Sequence, residues 1–429
     1  MNKDTQKNYV GQPLFKQVIE LIPKNKFYML VNKLQTDYCS KKFFSWDQLI
    51  TLLFGIYSRC DSMNEVCDGM RALAGKLNYL GMDIAPAKST VGDALQNRPE
   101  ELYRLFFFTL LDHFSPILSD SRKKLYQKSE ISFKTFLSFD STTITLFSEV
   151  LKGVSRETKG DGKRKGGLKV HMLTDIHAET PVFANITEAR VNDQNFFKYL
   201  KLPKDSMVTF DRAYNNYLQF AKWTNEGVNF VTRLKEDASY EIVGEAEFKK
   251  KLKEGKSGVY RVEHIHLQYN DPTPYKVEGL KEATFYGRKR TLCLRLVHYI
   301  DDKGRYYKFI TNNWAIKAEE VALIYKYRWT IETTFKKLKQ NFQLTYFYSE
   351  SENGIKTQVW CTLIAYLLLL VIETISGSKK ALSTIAALIR MHLISHLCIF
   401  WVVTEGRRAY TKRLKSRNKC PAYIQGNLF

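Results

Sequence analysis

The order of predicted strands and helices between about residues 133 and 226 constrains the fold more than any other feature of the sequence. The segment FKTFLSFD predicts a strand that ends on Asp140, and STTITLF and GLKVHMLTDI predict strands beside it. A helix from about Asp193 to Leu200, a strand that ends on Asp211 and a helix around 215–226 follow. This β–β–β–α–β–α order predicts a mixed sheet with helices packed against it.

The flanking sequences have a different character. Residues 1–130 are predicted to be helical, and a helix, a turn with Gly81 and Pro86, and the short helix STVGDALQNR resemble a helix-turn-helix, whose second helix would enter a major groove. A plain helical bundle is the alternative. Residues 228–312 contain segments that alternate apolar and polar residues at period two, which predicts a β-rich block.

The sequence returns to helix after this block. Ala318–Asn341 is predicted to be one long amphipathic helix. The longest apolar run, Val359–Ile372, is shorter than the roughly 18–20 residues that a membrane helix needs, so we predict a buried helix there. A basic tail follows.

Composition narrows the class of partner. The chain carries 66 Lys and Arg against 44 Asp and Glu, a net charge of +22, which favours a polyanion such as nucleic acid or an anionic membrane surface. Seven cysteines without a CxxC pair argue against a disulfide scaffold and a structural zinc site. The polar first residues lack a signal peptide, so we expect a cytoplasmic protein.

Three carboxylates suggest a metal-dependent site. Asp140 and Asp211 end predicted strands, and Glu332 lies in an otherwise basic helix. Together they would form a pocket whose charge repulsion requires a cation, and oxygen ligands suit Mg²⁺ or Mn²⁺. Two such ions stabilise the attacking and leaving oxygens in phosphodiester chemistry. Taken alone, each aspartate is better explained as a cap or a solvated loop residue.

A spaced set of side chains surrounds the glutamate. Tyr325, Arg328, Glu332 and Lys339 advance by three, four and seven residues, so on one helix they share a face. The carboxylate would hold metal, and the phenol, guanidinium and ammonium would bind phosphates. The alternative is a surface helix with pairs such as Glu332–Lys336.

This Y-(2)-R-(3)-E-(6)-K spacing resembles the signature of the IS4 family of DDE transposases. The segments FDSTTI around Asp140 and FDRAY around Asp211 resemble those that hold the family's first and second aspartates. The β-rich block falls between Asp211 and Glu332, where IS4-type enzymes carry a β-strand insertion domain. The resemblance covers about residues 134–345.

The resemblance implies an α/β fold: a ribonuclease-H-like mixed-sheet catalytic core interrupted by a β-rich insertion domain, with a helical N-terminal domain and a helical C-terminal region. The corresponding boundaries are the core at 131–227 and 313–376 and the insertion at 228–312. The helical DNA-binding domain at 1–130 and the helical basic region at 377–429 are predicted from composition and position alone.

The resemblance also implies an activity. The protein would bind the terminal inverted repeats of an insertion sequence and catalyse strand cleavage and strand transfer in cut-and-paste transposition. Asp140, Asp211 and Glu332 would hold two Mg²⁺ or Mn²⁺ ions. The expected partners are double-stranded end and target DNA and a second copy of the chain, with no membrane, at the bacterial nucleoid.

Further DNA contacts are expected from basic segments. The loop at 152–169 has an excess of Lys and Arg, including Lys163, Arg164 and Lys165, and the tail from Ile399 has a similar excess. The alternative is that the loop is only solvated and that the tail only increases solubility.

Three more side chains are candidates near the carboxylates. Arg212 either contacts DNA or moderates the repulsion beside Asp211. Tyr307 and Trp329 are aromatic residues that would stack on a base extruded near the cut, as some family members do. For Tyr307, a cross-strand packing role is equally consistent with the sequence.

Two other functions remain open at this point. One is a metal-dependent nuclease on the same core that cleaves without joining. The other is a catalytically inactive DNA-binding relative of a transposase.

Overall fold

The computed structural model describes residues 12–73, 75–126, 131–145, 167–189, 191, 193–249, 257–274, 287–342, 344 and 346–404. Lys163, Arg164 and Lys165 of the predicted basic loop, and the tail from 405 onward, lie outside the described residues. The chain divides into two compact units, one within residues 119–336 and the other within residues 1–118 and 337–429.

The strands of the 119–336 unit belong to one sheet. They are β1 (Phe136–Thr145), β2 (Gly167–Asp175), β3 (Thr180–Glu188), β4 (Met207–Thr209), β5 (Asn229–Arg233), β6 (Glu241–Ile242), β7 (Phe248–Lys249), β8 (Gly258–Asp271), β9 (Arg288–Ile300) and β10 (Tyr306–Thr311). The sheet order is β3-β2-β1-β4-β5-β10-β9-β8-β6, and β7 pairs with β8.

The described α-helices are α1 (Leu14–Ile19), α2 (Lys24–Leu34), α3 (Ser45–Ser58), α4 (Met63–Ala72), α5 (Lys88–Asn97), α6 (Glu101–Tyr126), α7 (Tyr217–Asn225), α8 (Ala318–Tyr327), α9 (Trp329–Phe342), α10 (Glu352–Ser376), α11 (Leu382–Met391) and α12 (Ile399–Thr404).

The centre of the sheet has mixed strand directions. β1, β2 and β3 pair antiparallel, whereas β1 pairs parallel with β4, and β4 pairs parallel with β5. The short β4 is buried throughout, as expected of a central parallel strand. The predicted mixed α/β sheet is therefore confirmed, although the predicted helix near Asp193 is a 3₁₀-helix, Asp193–Tyr199.

The strands of the predicted β-rich block continue this same sheet. β5, the first of them, lies between β4 and β10, and β10, β9 and β8 follow outward as antiparallel neighbours. The predicted block therefore begins, at residue 228, immediately before β5, which is a central strand of the sheet. Period-two alternation identified the strands but carries no information about which sheet they join.

Apolar side chains cover both faces of the sheet because successive residues of a strand point to opposite sides. On one face, Phe139 stacks on the Phe210 ring at 4.7 Å, and Trp223 of α7 packs against both rings. On the other face, Phe136 and Phe309 belong to a cluster that includes Ile324 and Tyr325 of α8. The sheet therefore lies between α7 and α8.

The predicted long helix over Ala318–Asn341 is wrong in one respect: α8 ends at Tyr327 and α9 begins at Trp329. Around Arg328 the hydrogen bonds tighten to the i→i+3 pattern. The Arg328 N–H donates to the Tyr325 carbonyl at 3.1 Å, and the Ile331 N–H donates to the Arg328 carbonyl at 3.3 Å. Such a tightened turn is common where one helix passes into the next.

The other unit is helical, as predicted for the N-terminal region. Ser62 caps α4 by accepting from the Glu65 N–H, a 3₁₀-turn ends at Gly81 with φ of +77°, and α5 follows. This is the predicted helix, turn and helix order. α10 is long and apolar enough to cross a membrane, and 78% of its most apolar stretch is buried within the fold, which confirms the predicted buried helix.

Two helical glycines predict opposite effects of the same substitution. A Cβ at Gly55 in α3 would lie 2.6 Å from Val66 Cγ2 and 2.8 Å from the Tyr348 hydroxyl oxygen, whereas nothing lies within 4 Å of a Cβ at Gly92 in α5. Gly55→Ala should lower the free energy of unfolding by about 1–3 kcal/mol through overpacking. Gly92→Ala should raise it by about 0.5–1 kcal/mol because glycine is poor in helices. Urea denaturation followed by circular dichroism measures both, and equal effects would contradict the packing around α3.

Candidate active site

The parallel pairing of β1 and β4 sets the two aspartates side by side. Their last paired residues are Ser138 and Thr209. Asp140 lies two residues beyond Ser138, and Asp211 lies two residues beyond Thr209, so both acids occupy the same offset from the paired segment. Asp211 follows the end of β4, whereas Asp140 lies inside β1, which continues to Thr145, so the predicted strand end at Asp140 is wrong. The two acids nevertheless leave the paired segment of adjacent parallel strands at the same edge.

Arg328, in the turn between α8 and α9, connects the glutamate to the first aspartate. Its guanidinium donates to Glu332 Oε1 at 2.5 Å and lies 3.9 Å from Asp140 Oδ2. The Arg328 residue is only 7% exposed. Because a buried guanidinium needs negative partners, this turn brings Glu332 towards β1.

The pKa of Asp140 is raised to about 6, chiefly because burial removes water from the carboxylate. Glu332 and Asp211 raise it further by repulsion, whereas the Ser141 N–H and Arg328 lower it. Glu332 and Asp211 therefore lie close enough to Asp140 for their charges to act on it. That the three carboxylates form one site stays a prediction.

The donor chemistry of this group fits a hard divalent cation. Carboxylate oxygens are the ligands that Mg²⁺ and Mn²⁺ prefer. A cation would also offset the repulsion that Glu332 and Asp211 add at Asp140. Within the part of the chain that the structure describes, no three acidic, His or Cys side chains stand close enough to share an ion as they are. The Arg328 guanidinium provides the nearest positive charge.

The remaining signature residues have distinct environments. Tyr325 is buried, packs on the Phe309 ring at 4.9 Å between centroids, and has its pKa raised mainly by burial. The Arg328 guanidinium lies 5.5 Å from the Tyr325 ring centroid. Trp329 is 63% exposed, and Lys339 lies in the last turn of α9, within the other compact unit.

Arg212, beside Asp211, is paired with a different carboxylate. Its guanidinium donates to Glu236 Oε1 at 2.6 Å, and this hydrogen bond is the largest cause that raises its pKa. A cavity of about 360 Å³ next to Asp211 is lined by Arg212, Glu236 and Asp237 among others. The positive charge of Arg212, which was predicted to reduce the repulsion at Asp211, is therefore divided between Asp211 and the salt bridge to Glu236.

Tyr307 lies in a packed environment. Its ring stacks on Phe309 with centroids 5.8 Å apart, and the guanidinium groups of Arg233 and Arg305 lie 4.9 Å and 5.9 Å from its centroid. Its hydroxyl donates to Asp301 at 3.3 Å. Tyr299, opposite it on β9, has its ring centroid 6.5 Å away, which supports the cross-strand packing interpretation. Stacking on a base would require Arg233 or Arg305 to move aside.

A polar group around β1 and β2 was not predicted from the sequence. Ser141, Lys169 and His171 each contact Asp193, and the Ser141 N–H donates to Asp140. The signal was present in GLKVHMLTD, where Lys169 and His171 alternate within a strand that is buried throughout. A charged residue in such a strand indicates a partner elsewhere in the fold.

Comparison with protein families gives two matches. A model described as a transposase DDE domain matches residues 131–368, more than half of the chain. A second model, described as a domain of unknown function (DUF4372), matches residues 10–83. The first match contains all three carboxylates.

Individual proteins are similar over parts of the chain. The protein y4zB of Sinorhizobium fredii, whose name describes a transposase, is 25% identical over 211 residues, which is 49% of this chain and 54% of that protein. A protein of Geobacillus stearothermophilus, named as a probable transposase for insertion sequence element IS5377, is 26% identical over 231 residues, 54% of each chain. The chain thus spans about half the length of these curated relatives.

One solved structure, a piggyBac transposase synaptic complex with hairpin DNA, superposes with a TM-score of 0.40 and 11% identity, covering 97% of this chain and 86% of that one.

The raised pKa of Asp140 predicts a pH-dependent stability. A carboxyl that titrates near 6 when folded and near 3.8 when unfolded destabilises the fold as pH rises through this range. Asp140→Asn removes that ionisation. In metal-free buffer the variant should match the wild type near pH 4 and exceed its free energy of unfolding by about 3 kcal/mol at pH 7.5. Urea denaturation at both pH values, with the exposed Asp205→Asn as control, measures this. A gain that is independent of pH would contradict the assignment.

Proposed function

The chain belongs to the transposase DDE domain family, of the IS4 type, and from this premise we propose that it is a transposase that cuts and joins DNA at the ends of an insertion sequence. The observation that carries the proposal is the matching offset of Asp140 and Asp211 beyond the paired residues of β1 and β4, with Glu332 connected to Asp140 by Arg328.

We propose that the sheet contains a ribonuclease-H-like core. The order β3-β2-β1-β4-β5, with the first three strands antiparallel and the last two parallel to β1, supports this proposal. In such a core, residues 131–227 and 313–376 supply the catalytic groups. β5 (Asn229–Arg233) belongs to the core strand order, so the β-strand insertion proposed within residues 228–312 would begin after it.

Transposases of the DDE family generally use divalent metal ions. We propose that Asp140, Asp211 and Glu332 would hold two Mg²⁺ or Mn²⁺ ions. When bound, such ions supply positive charge to the attacking and leaving oxygens of a phosphodiester. The pKa of Asp140, about 6, leaves its carboxylate ionised at neutral pH and available as a ligand.

The other predicted site residues would bind the DNA backbone. The planar guanidinium of Arg328 can bind a phosphate with two hydrogen bonds. Tyr325 can donate its hydroxyl, and Lys339 and Arg212 supply further positive charge. Trp329 is exposed and available to stack on an unpaired base.

DNA is the partner that this arrangement would act on. We propose that residues 1–130, with the helix, turn and helix of α4 and α5, bind the terminal repeats, and that the net charge of +22 and the basic C-terminal region at 377–429 add salt-sensitive affinity. Two copies bound to two ends would act together in the bacterial cytoplasm.

Neutral isosteres of the three acids test the catalytic assignment. Asp140→Asn, Asp211→Asn and Glu332→Gln should each reduce the rate of strand cleavage by at least about 10³-fold, because a lost metal ligand removes several kcal/mol of charge stabilisation. A gel-based cleavage assay with Mg²⁺ measures the rate on a duplex carrying the DNA that borders the gene.

Glu319→Gln is the matched control, because Glu319 is an exposed acid in the first turn of α8. It should cleave like the wild type, and all four variants should bind the duplex with unchanged affinity. Near wild-type cleavage by any of the three carboxylate variants would remove that residue from the proposed site.

Joining separates a transposase from a nuclease built on the same core. With ends supplied already cleaved and carrying a free 3′-OH, the wild-type protein should insert them into a target plasmid, because the hydroxyl replaces water as the nucleophile at the same carboxylates. Sequencing of the joined products measures this. Efficient cleavage with no joined product would favour the nuclease.

A further inference from the structure

A polar cluster lies behind Asp140, on the opposite face of the sheet from α8. Asp140 has the strand parity of Phe136, whose side chain packs in the cluster of α8, whereas Ser141 has the parity of Phe139 on the α7 face. Across the sheet, Ser141 pairs with His171, and Thr143 pairs with Lys169. The side chains of Ser141, Lys169 and His171 therefore share the α7 face.

Asp193, at the start of the 3₁₀-helix after β3, is the centre of this cluster. Its Oδ1 accepts a hydrogen bond from the Ser141 hydroxyl at 3.0 Å and lies 2.9 Å from Lys169 Nζ. Lys169 Nζ also donates to the Val191 carbonyl at 3.1 Å, and His171 Nδ1 lies 3.9 Å from the same Asp193 oxygen. One carboxylate thus connects β1, β2 and the chain that follows β3.

Burial makes these contacts strong constraints. The Lys169 side chain is 7% exposed and that of His171 is 1% exposed. A buried ammonium without its carboxylate would be costly, so Lys169 fixes the position of Asp193.

Ser141 joins the cluster to the candidate site through its own backbone. Its N–H donates to Asp140 Oδ1 at 2.8 Å, while its hydroxyl is held by Asp193 on the other side of the sheet. β1 pairs with β4 only over Phe136–Ser138, so at residues 140 and 141 only β2 still supports the strand through backbone pairing. The orientation of Asp140 thus depends on contacts made by Ser141.

We propose that Asp193 is a positioning residue for the reaction: by holding the Ser141 hydroxyl, it fixes the strand segment that orients the Asp140 carboxylate. This inference rests on the proposed function, because it takes Asp140 as a catalytic carboxylate. It assigns a role to an acid outside the three-carboxylate signature. Displacement of a reacting group by about 1 Å costs roughly 10²-fold in rate, so loss of this hold should impair cleavage even in a folded protein that binds DNA.

The test compares full-length variants that remove or retain the hydroxyl–carboxylate contact. Asp193→Ala and Ser141→Ala remove it, Ser141→Thr retains the hydroxyl, and Asp205→Asn is a control for an exposed acid with φ of +61°, a conformation that asparagine also adopts. The probe is the duplex carrying the DNA that borders the gene. Cleavage at saturating protein, the dissociation constant for the duplex and the melting temperature are measured for each.

We expect Asp193→Ala and Ser141→Ala to lower the cleavage rate by about tenfold to a hundredfold with an unchanged dissociation constant. The double variant should lose no more than the worse single variant, because the two residues act in series. Ser141→Thr and Asp205→Asn should resemble the wild type. Rates within twofold of the wild type, or losses that only follow DNA affinity or melting temperature, would overturn the proposal.

Hydrogen exchange separates this proposal from the proposed function. Amides of β1 at 139–144 should exchange faster in Asp193→Ala and Ser141→Ala than in the wild type and in Asp205→Asn, because the hold on the strand is lost. Unchanged exchange would overturn the positioning role whether or not the protein cleaves DNA. Cleavage by Asp140→Asn at the wild-type rate would instead contradict the proposed function. The hydrogen-exchange result would still show whether Asp193 and Ser141 hold β1 in place.

Discussion

Three residue pairs between two parallel strands determine the geometry of the candidate site. Phe136–Ser138 of β1 pair with Met207–Thr209 of β4, and one aspartate follows two residues after the last paired residue of each strand, Asp140 within β1 and Asp211 after β4. Any slip in this register would move one acid along the sheet edge or turn it to the other face. The apolar layers on both faces, with α7 and α8, secure that register, so the packing of the sheet determines where negative charge accumulates.

Contacts on both faces of the sheet stabilise the negative charge that accumulates at the site. On the α8 face, Arg328 donates to Glu332 and approaches Asp140, which lowers the repulsion among the three carboxylates. On the α7 face, Asp193 accepts from Ser141, whose N–H supports Asp140 from behind. Burial nevertheless keeps the pKa of Asp140 raised, and such a conflict between charge and burial is typical of functional sites.

Local sequence patterns predicted the elements and the acids better than their arrangement. The alternation in β8 and β9 and the strand that precedes Asp211 follow from short-range chemistry and were found. The predicted strand end at Asp140 was wrong, because FKTFLSFD and STTITLF belong to the single strand β1, which passes through Asp140 to Thr145. The break at Arg328 was missed, because a single tightened turn leaves the 3.6-residue periodicity nearly intact. The role of Asp193 was missed as well: its partners Ser141 and Lys169 lie far away in sequence, and only the pairing of β1 with β2 brings them together.

Direct location of bound metal tests the central claim that these three carboxylates form one site. A crystal of the protein with Mn²⁺ and DNA should give anomalous peaks at roughly 2.0–2.3 Å from oxygens of Asp140 and Asp211. Glu332 should also coordinate one of these ions, and the Arg328 guanidinium should move towards a phosphate of the DNA. Peaks elsewhere, or Mn²⁺ bound at this edge of the sheet without contact to either aspartate, would contradict the account.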